Sequence, residues 1–232
     1  MININYKFKF KDGHVKEFDI NLYSKSLNLV KKENADLKYP AWTELNYSKC
    51  PDCVLDEKDH KYCPVAVSFI EIIDTFKGSV SYEEADVIVE TNDRKYIKHV
   101  PLQRGLSSLI GIYMVTSGCP VMEKLKPMVK FHLPFASGEE TSYRMVTMYL
   151  MAQFFKHKNG QEPDWDLVNL VKIYDDIRLV NKSFCDRVSK IIVEDASVNA
   201  LIILDCFADR VIFSINKDIL NQFKPLFNVY LK

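Results

Sequence analysis

The sequence predicts an α+β fold in which N-terminal antiparallel hairpins form a small sheet that packs against a mostly helical C-terminal part. Alternating apolar and polar residues, typical of strands, occur in residues 1–22 and again in residues 80–99. From residue 101 onward, apolar residues recur at the three- and four-residue spacing of helices. Gly (7) and Pro (9) are scarce among the 232 residues, so we expect one domain without long linkers. Its two parts are 1–100 and 101–232.

The first 22 residues predict a β-hairpin with a defined register. A two-residue loop would place apolar and charged residues opposite each other on one face. A three-residue loop that closes Phe10 on His14 instead matches apolar residues across the hairpin. Tyr6 then lies opposite Phe18. We therefore predict a type I turn with Gly13 in the left-handed conformation of a G1 bulge.

The segment 24–62 is the least regular part of the sequence. Its charged stretch 31–38 indicates a solvated loop or a short helix. A helix is predicted from Pro64 to Phe76, because proline fits the first helical position, and strands are predicted within 80–99. A loop as long as 24–62 inside a compact domain is usually functional or held by a bound group.

The rest of the chain is predicted to be helical. Residues 102–117 form a nearly all-apolar segment, and the Ser137–Glu140 stretch matches a capping box that begins a helix ending near Lys158. Apolar residues on several sides of that second helix favour a central position for it. Its Met and aromatic side chains are interpreted as core rather than as a ligand pocket. Residues 164–192 predict one long helix or two, and two further helical segments cover 195–215 and 217–230.

A cysteine cluster is the best candidate site. Cys50 and Cys53 form a Cys-x2-Cys pair, a spacing at which two thiolates on a tight turn can bind one ion, and Cys63 follows directly before a proline. Soft thiolates suit zinc or an iron–sulfur cluster. We expect a structural zinc ion. The alternatives are an iron–sulfur cluster, a redox-active thiol pair, and ordinary reduced cysteines.

Three cysteines leave the fourth ligand open. Cys119 is the first choice because it also precedes a proline and lies at an element boundary, while His60 and His132 are alternatives. Cys185 and Cys206 lie in helical apolar patterns, and we expect both to be core residues, since free cysteine is often buried.

A rival interpretation makes the chain a redox or metal-dependent enzyme. In that case Cys119 and His132 would complete an open site, with Glu139 or Glu140 carrying protons. Simpler interpretations are favoured for these residues. His132 lies among apolar residues and is expected to be a buried, backbone-bonded histidine. The two glutamates suit the first turn of a helix, and Glu140 is expected to pair with Arg144 one turn later.

The composition excludes some classes of partner. Lys+Arg and Asp+Glu both number 31, so the formal charge is zero and no general attraction to nucleic acid or an anionic membrane is expected. The first residues alternate rather than forming an apolar secretory signal, which predicts a cytoplasmic protein with reduced thiols. No phosphate-binding loop or hydrolase signature is present, and the expected partner is an unknown protein or small molecule.

Several stretches together resemble an uncharacterised bacterial family, a domain of unknown function with a Cys-x2-Cys…Cys-Pro…Gly-Cys-Pro pattern. They are Trp42, Cys50–Cys53, Cys63-Pro64, Thr116–Pro120, Leu125–Met128, Phe131–Phe135 and Glu139–Thr141. The resemblance implies a bacterial source and one domain over most of this length. It implies no activity, cofactor or catalytic residue.

Overall fold

The structure, a computed structural model, describes residues 1–30, 39–192, 194–216 and 219–232. The predicted charged loop or short helix over 31–38 lies outside these ranges. The strands are β1 (Ile2–Phe10), β2 (Val15–Leu22), β3 (Glu84–Thr91) and β4 (Lys95–Pro101). The helices are α1 (Pro64–Ser68), α2 (Ile70–Phe76), α3 (Leu102–Thr116), α4 (Lys126–Lys130), α5 (Gly138–Lys158), α6 (Val168–Ser189), α7 (Ala196–Asn216) and α8 (Ile219–Phe223). The α+β prediction is confirmed.

The four strands form one antiparallel sheet in the order β2-β1-β3-β4. The predicted register of the first hairpin is confirmed, because Tyr6 pairs with Phe18. The amide of Phe10 donates to the carbonyl of His14 at 3.0 Å, which closes the three-residue loop. Gly13 has φ +88°, the left-handed conformation that the turn needs.

One face of the sheet is buried and carries α2 and α3. The alternation of β1 places Tyr6 and Phe8 on this face, where Phe8 meets Phe76 of α2 at a ring-centroid distance of 5.3 Å. Gly105 of α3 lies so close to the sheet that a Cβ there would come 2.8 Å from side-chain atoms of Phe8 and Val87. A glycine is therefore what allows α3 to lie directly on the strands.

Helix α3 occupies the centre of the molecule. It has apolar residues on all sides, and most of its side chains are buried between the sheet and α7. The expectation that α5 is the central helix is wrong. Its second half is exposed, with Met151 61% accessible and Phe154 and Phe155 also exposed.

Three further expectations can be compared with the structure. The predicted helix over 64–76 is broken at Phe69 into α1 and α2, whereas the segment 164–192 contains the single helix α6. Cys185 packs against the core, but Cys206 is exposed, so the expected burial of Cys206 is wrong. Within the described ranges, no helix combines the length and apolar character needed to cross a bilayer.

Candidate metal centre and a second pocket

The irregular loop that precedes α1 is folded back on itself. Two short 3-10 turns, Ala41–Thr43 and Leu45–Ser48, lie in the part of this loop that precedes the cysteines. The amide of Leu45 donates to the carbonyl of Lys61 at 2.9 Å. The amide of Cys63 donates to the carbonyl of Thr43 at 2.8 Å. The two ends of the loop therefore lie side by side, which brings the Cys63 backbone next to the first turns.

The cysteines lie at turns and helix ends. The amide of Cys53 donates to the carbonyl of Cys50 at 3.1 Å, so the Cys-x2-Cys pair forms a tight turn. Cys63 is the N-terminal cap of α1. Cys119 follows the left-handed Gly118 (φ +96°), where the chain turns after α3.

These four predicted ligands line one small cavity. Cys50, Cys53, Cys63 and Cys119 share it with apolar side chains of the loop, α1 and α6, and with Arg187. The cavity holds about 20 Å³. A space of about 10–15 Å³ accommodates one water-sized sphere, so the cavity has room for a single ion.

The cavity favours protonated thiols in the protein as it stands. Burial, with smaller contributions from the neighbouring thiols, raises the pKa of Cys50 to about 11. Burial also raises the pKa values of Cys63 and Cys119. Backbone amides at the start of the following turns oppose this effect, those of Ala66 for Cys63 and of Met122 for Cys119. Conversion to thiolates therefore requires a nearby positive charge.

Arg187 supplies such a charge, and sequence reasoning missed it. Its side chain is only 1% exposed and donates hydrogen bonds to four loop carbonyls. The acceptors are Trp42, Glu44 (2.7 Å), Leu45 (3.2 Å) and Ser48 (2.9 Å).

The charge environment of Arg187 is unusual for a buried cation. Burial lowers the pKa of Arg187, and interaction with Cys63 and Cys50 opposes this shift. Among the described residues, no carboxylate oxygen lies within 4.0 Å of the guanidinium. A sequence signal did exist, since Arg187 continues the buried positions Val180 and Phe184 at helical spacing.

The cavity is not a ready coordination sphere. Among residues 1–30, 39–192, 194–216 and 219–232, no group of three or more His, Cys, Asp or Glu side chains is arranged so that it could hold a metal ion. The four thiols thus share a cavity without being positioned as ligands.

The other predicted site residues lie elsewhere. His60 is exposed in a turn and does not line the cysteine cavity. His132 Nε2 lies 2.6 Å from the hydroxyl of Tyr6 and lines a different pocket, so its partner is a side chain rather than the expected backbone group. Glu139 and Glu140 are exposed at the start of α5, where Glu140 completes the predicted capping box. The residues required by the enzyme interpretation are therefore divided between separate places.

A second pocket, which sequence reasoning missed, lies among α3, α4, α5, α6 and α7. Its volume is about 180 Å³ and its wall is mostly apolar. Four of its polar side chains are His132, Arg144, Tyr174 and Asn181. These residues come from three separate segments, and only Tyr174 and Asn181, seven residues apart on α6, share a segment.

Burial determines the protonation of His132, and backbone carbonyls hold Arg144 in place. Burial lowers the pKa of His132 to about 3, and the charge of Arg144 acts in the same direction, so the imidazole is neutral at pH 7. Arg144 Nη2 donates to the carbonyls of Met128 and Phe131, at 2.8 Å each. The expected ion pair of Arg144 with Glu140 does not form, because Glu140 instead accepts from the amide of Ser137 at 2.7 Å.

The chain is thus an α+β protein with a cysteine-lined cavity and a separate, larger pocket. It matches a family described as a domain of unknown function, DUF6901, over residues 4–228. The chain belongs to this family. No curated protein matches it. No solved structure matches it either.

Proposed function

We propose that the protein is a binding module of the bacterial cytosol in which a structural zinc ion fastens the irregular loop to the helical body. The proposed ligands are Cys50, Cys53, Cys63 and Cys119. The observation that carries the proposal is that cysteines from three separated segments line one cavity with room for one ion. Cytosolic thiols remain reduced and available to a metal.

The charge balance supports zinc at this place. Zinc with four thiolates carries a net charge of −2, which is costly to bury without compensation. Arg187 already lines the cavity as a buried cation, and its charge interacts with Cys50 and Cys63. Zinc–sulfur bonds are about 2.3 Å long, so binding would draw the four side chains inward.

The proposal is tested by metal content. Tag-free protein purified without oxygen is analysed by mass spectrometry and absorption spectroscopy. We expect about one zinc per chain and no visible absorption. Cys50→Ser should lose the metal, whereas the control Cys206→Ser should retain it, because Cys206 is exposed and does not line the cavity. Absence of metal, together with unchanged stability of Cys50→Ser, rules the proposal out.

The alternative function is a redox or metal-dependent enzyme. Cys119 shares the cavity of Cys50 and Cys53, as that function requires, but His132 lines the other pocket. Iron with broad visible absorption in the same experiment would favour an iron–sulfur protein for electron transfer or redox sensing.

The partner of the module is proposed to be a protein or a small molecule rather than nucleic acid or a membrane. The formal charge of the chain is zero. Nucleic acid and anionic lipid surfaces both select for an excess of positive charge. Because the larger pocket has a mostly apolar wall, a small molecule is the partner to test first.

A further inference from the structure

We propose that the larger pocket binds a small amphipathic carboxylic acid, with its carboxylate at Arg144 and its apolar chain extending toward Asn181. This proposal rests on the binding function proposed above and names the chemical class of the ligand. It does not depend on the zinc ion, because the pocket and the cysteine cavity share no described lining residue.

The size and wall of the pocket suit an apolar chain. An engineered apolar cavity of about 150 Å³ binds benzene, and this pocket holds about 180 Å³. Ile112 and Val115 of α3 line one side, and Met122 and Leu125 line the turn that follows. Pockets of this kind are usually formed before the ligand arrives and hold it by apolar contact.

Arg144 determines the charge of the ligand. Among the described residues that line the pocket, it is the only charged side chain. Its Nη2 is fixed by the carbonyls of Met128 and Phe131, and no described carboxylate oxygen lies within 4.0 Å of it. Glu140 acts on Arg144 only through a longer-range electrostatic interaction. A guanidinium that is held in place with no carboxylate in contact can bind the carboxylate of a ligand. A ligand amine would be repelled.

Tyr174 supports a carboxylate at the same end. Its side chain is 5% exposed, and its hydroxyl makes no hydrogen bond to another described residue. The charge of Arg144 acts on this hydroxyl and lowers the pKa of Tyr174, although burial raises that pKa more strongly. A phenol hydroxyl near a guanidinium can donate a second hydrogen bond to the same carboxylate.

Asn181 marks the other end of the ligand. It is 2% exposed, and its Oδ1 has no hydrogen-bond partner among the described residues. Asn181 follows Tyr174 by seven residues, which places the two on one face of α6, roughly 10 Å apart along the axis. A ligand hydroxyl at that distance from the carboxylate can donate a hydrogen bond to the side-chain oxygen of Asn181 or accept one from its side-chain nitrogen. The pocket therefore favours a hydroxylated acid over a simple fatty acid.

The test is a calorimetric titration of the full chain with 8-hydroxyoctanoate, octanoate and 1,8-octanediol. We expect 8-hydroxyoctanoate to bind best, octanoate several-fold more weakly, and the diol at least tenfold more weakly because it lacks the carboxylate. Three results would overturn the proposal. They are equal affinity for 8-hydroxyoctanoate and the diol, equal affinity for 8-hydroxyoctanoate and octanoate, and no binding of 8-hydroxyoctanoate at millimolar concentration.

Variants assign the binding to this pocket. Arg144→Gln should bind 8-hydroxyoctanoate no better than the diol, while Arg104→Gln, which removes an exposed arginine of α3, should keep the tenfold preference. Because Arg144 also holds two carbonyls, Tyr174→Phe provides a milder change and should reduce acid affinity several-fold. Its control is Tyr143→Phe, on the exposed side of α5. Unchanged acid affinity in both pocket variants contradicts the proposal.

The outcome is separate from that of the zinc experiment. If the protein contains zinc but binds no acid, the proposed ligand is wrong and the proposed zinc site stands. If a metal-free chain binds the acid, the proposed ligand stands and the zinc site is wrong.

Discussion

Nη1 of Arg187 donates a hydrogen bond to the carbonyl oxygen of Glu44 at 2.7 Å, between residues 143 positions apart in the sequence. The same guanidinium binds three other carbonyls of that loop. One side chain of α6 therefore organises the backbone that presents Cys50 and Cys53. We therefore expect the loop conformation and the placement of these cysteines to depend on this contact.

Replacing Arg187 should destabilise the protein strongly. Arg187→Met leaves loop carbonyls without donors, and a buried acceptor without a partner costs about 1–3 kcal/mol. We expect the free energy of unfolding to fall by about 3 kcal/mol, measured by urea denaturation. Lys182→Met, which removes an exposed charge from the same helix, is the control and should change it little. Equal losses in the two variants would contradict the role given to Arg187.

Removing zinc should destabilise the wild-type protein but not Cys50→Ser. A ligand that binds only the folded state stabilises it, so a chelator should lower the melting temperature of the wild type. Protons compete with zinc for thiolates, and burial raises the pKa of Cys50 to about 11, so zinc release should increase on acidification. Calorimetry with and without chelator, and zinc release at several pH values, provide the measurements. Identical chelator responses in wild type and Cys50→Ser would argue against the metal.

Acidification should lower the free energy of unfolding through protonation of His132 in the unfolded chain. Burial lowers its folded-state pKa to about 3, below the ordinary value of about 6.5. The unfolded chain therefore binds more protons in that window, and stability falls as pH decreases from about 6.5 toward 3. At pH 5 the loss from this residue is about 2 kcal/mol relative to pH 7.

The variant His132→Asn isolates this contribution. Its free energy of unfolding should depend less on pH between 7 and 5 than that of the wild type, although loss of the Tyr6 contact lowers it at both values. His157→Asn, at an exposed position of α5, should keep the wild-type pH dependence. If the free energy of unfolding of His132→Asn depends on pH as steeply as that of the wild type, other groups cause the acid sensitivity.

Two glycines of α3 should respond oppositely to alanine. A Cβ at Gly105 would lie 2.8 Å from Phe8 and Val87, so Gly105→Ala should destabilise by about 1–3 kcal/mol through overpacking. A Cβ at Gly111 would meet Leu204 at an ordinary 3.8 Å, so Gly111→Ala should stabilise by up to about 1 kcal/mol through helix propensity. Urea denaturation of both variants tests this. Stabilisation by Gly105→Ala would refute the close contact between α3 and the sheet.

Local patterns were sufficient where neighbouring residues decide the structure. The period-two alternation and a three-residue loop predicted the pairing of Tyr6 with Phe18, because a one-residue slip would turn every apolar side chain to the wrong face. The capping box at Ser137 was equally local, since its two hydrogen bonds join residues three apart. The cysteines were chosen from spacing and chemistry, but metal binding by them stays a prediction, because the cavity that they share is formed by segments far apart in the chain.

Tertiary packing decided the features that have no local signal. The apolar residues of α5 do not show which side other helices cover, and α3 takes the central place because Gly105 lets it lie on the sheet. Cys206 is exposed although its sequence neighbours are apolar.

The contacts that shape both candidate sites are long-range. Arg187 reaches carbonyls more than 130 residues away, and the pocket wall brings Arg144 of α5 together with Tyr174 of α6. Strand register and helix caps depend on the residues that surround them in the chain. A buried cation and a pocket depend on which surfaces meet after folding, which no single segment encodes.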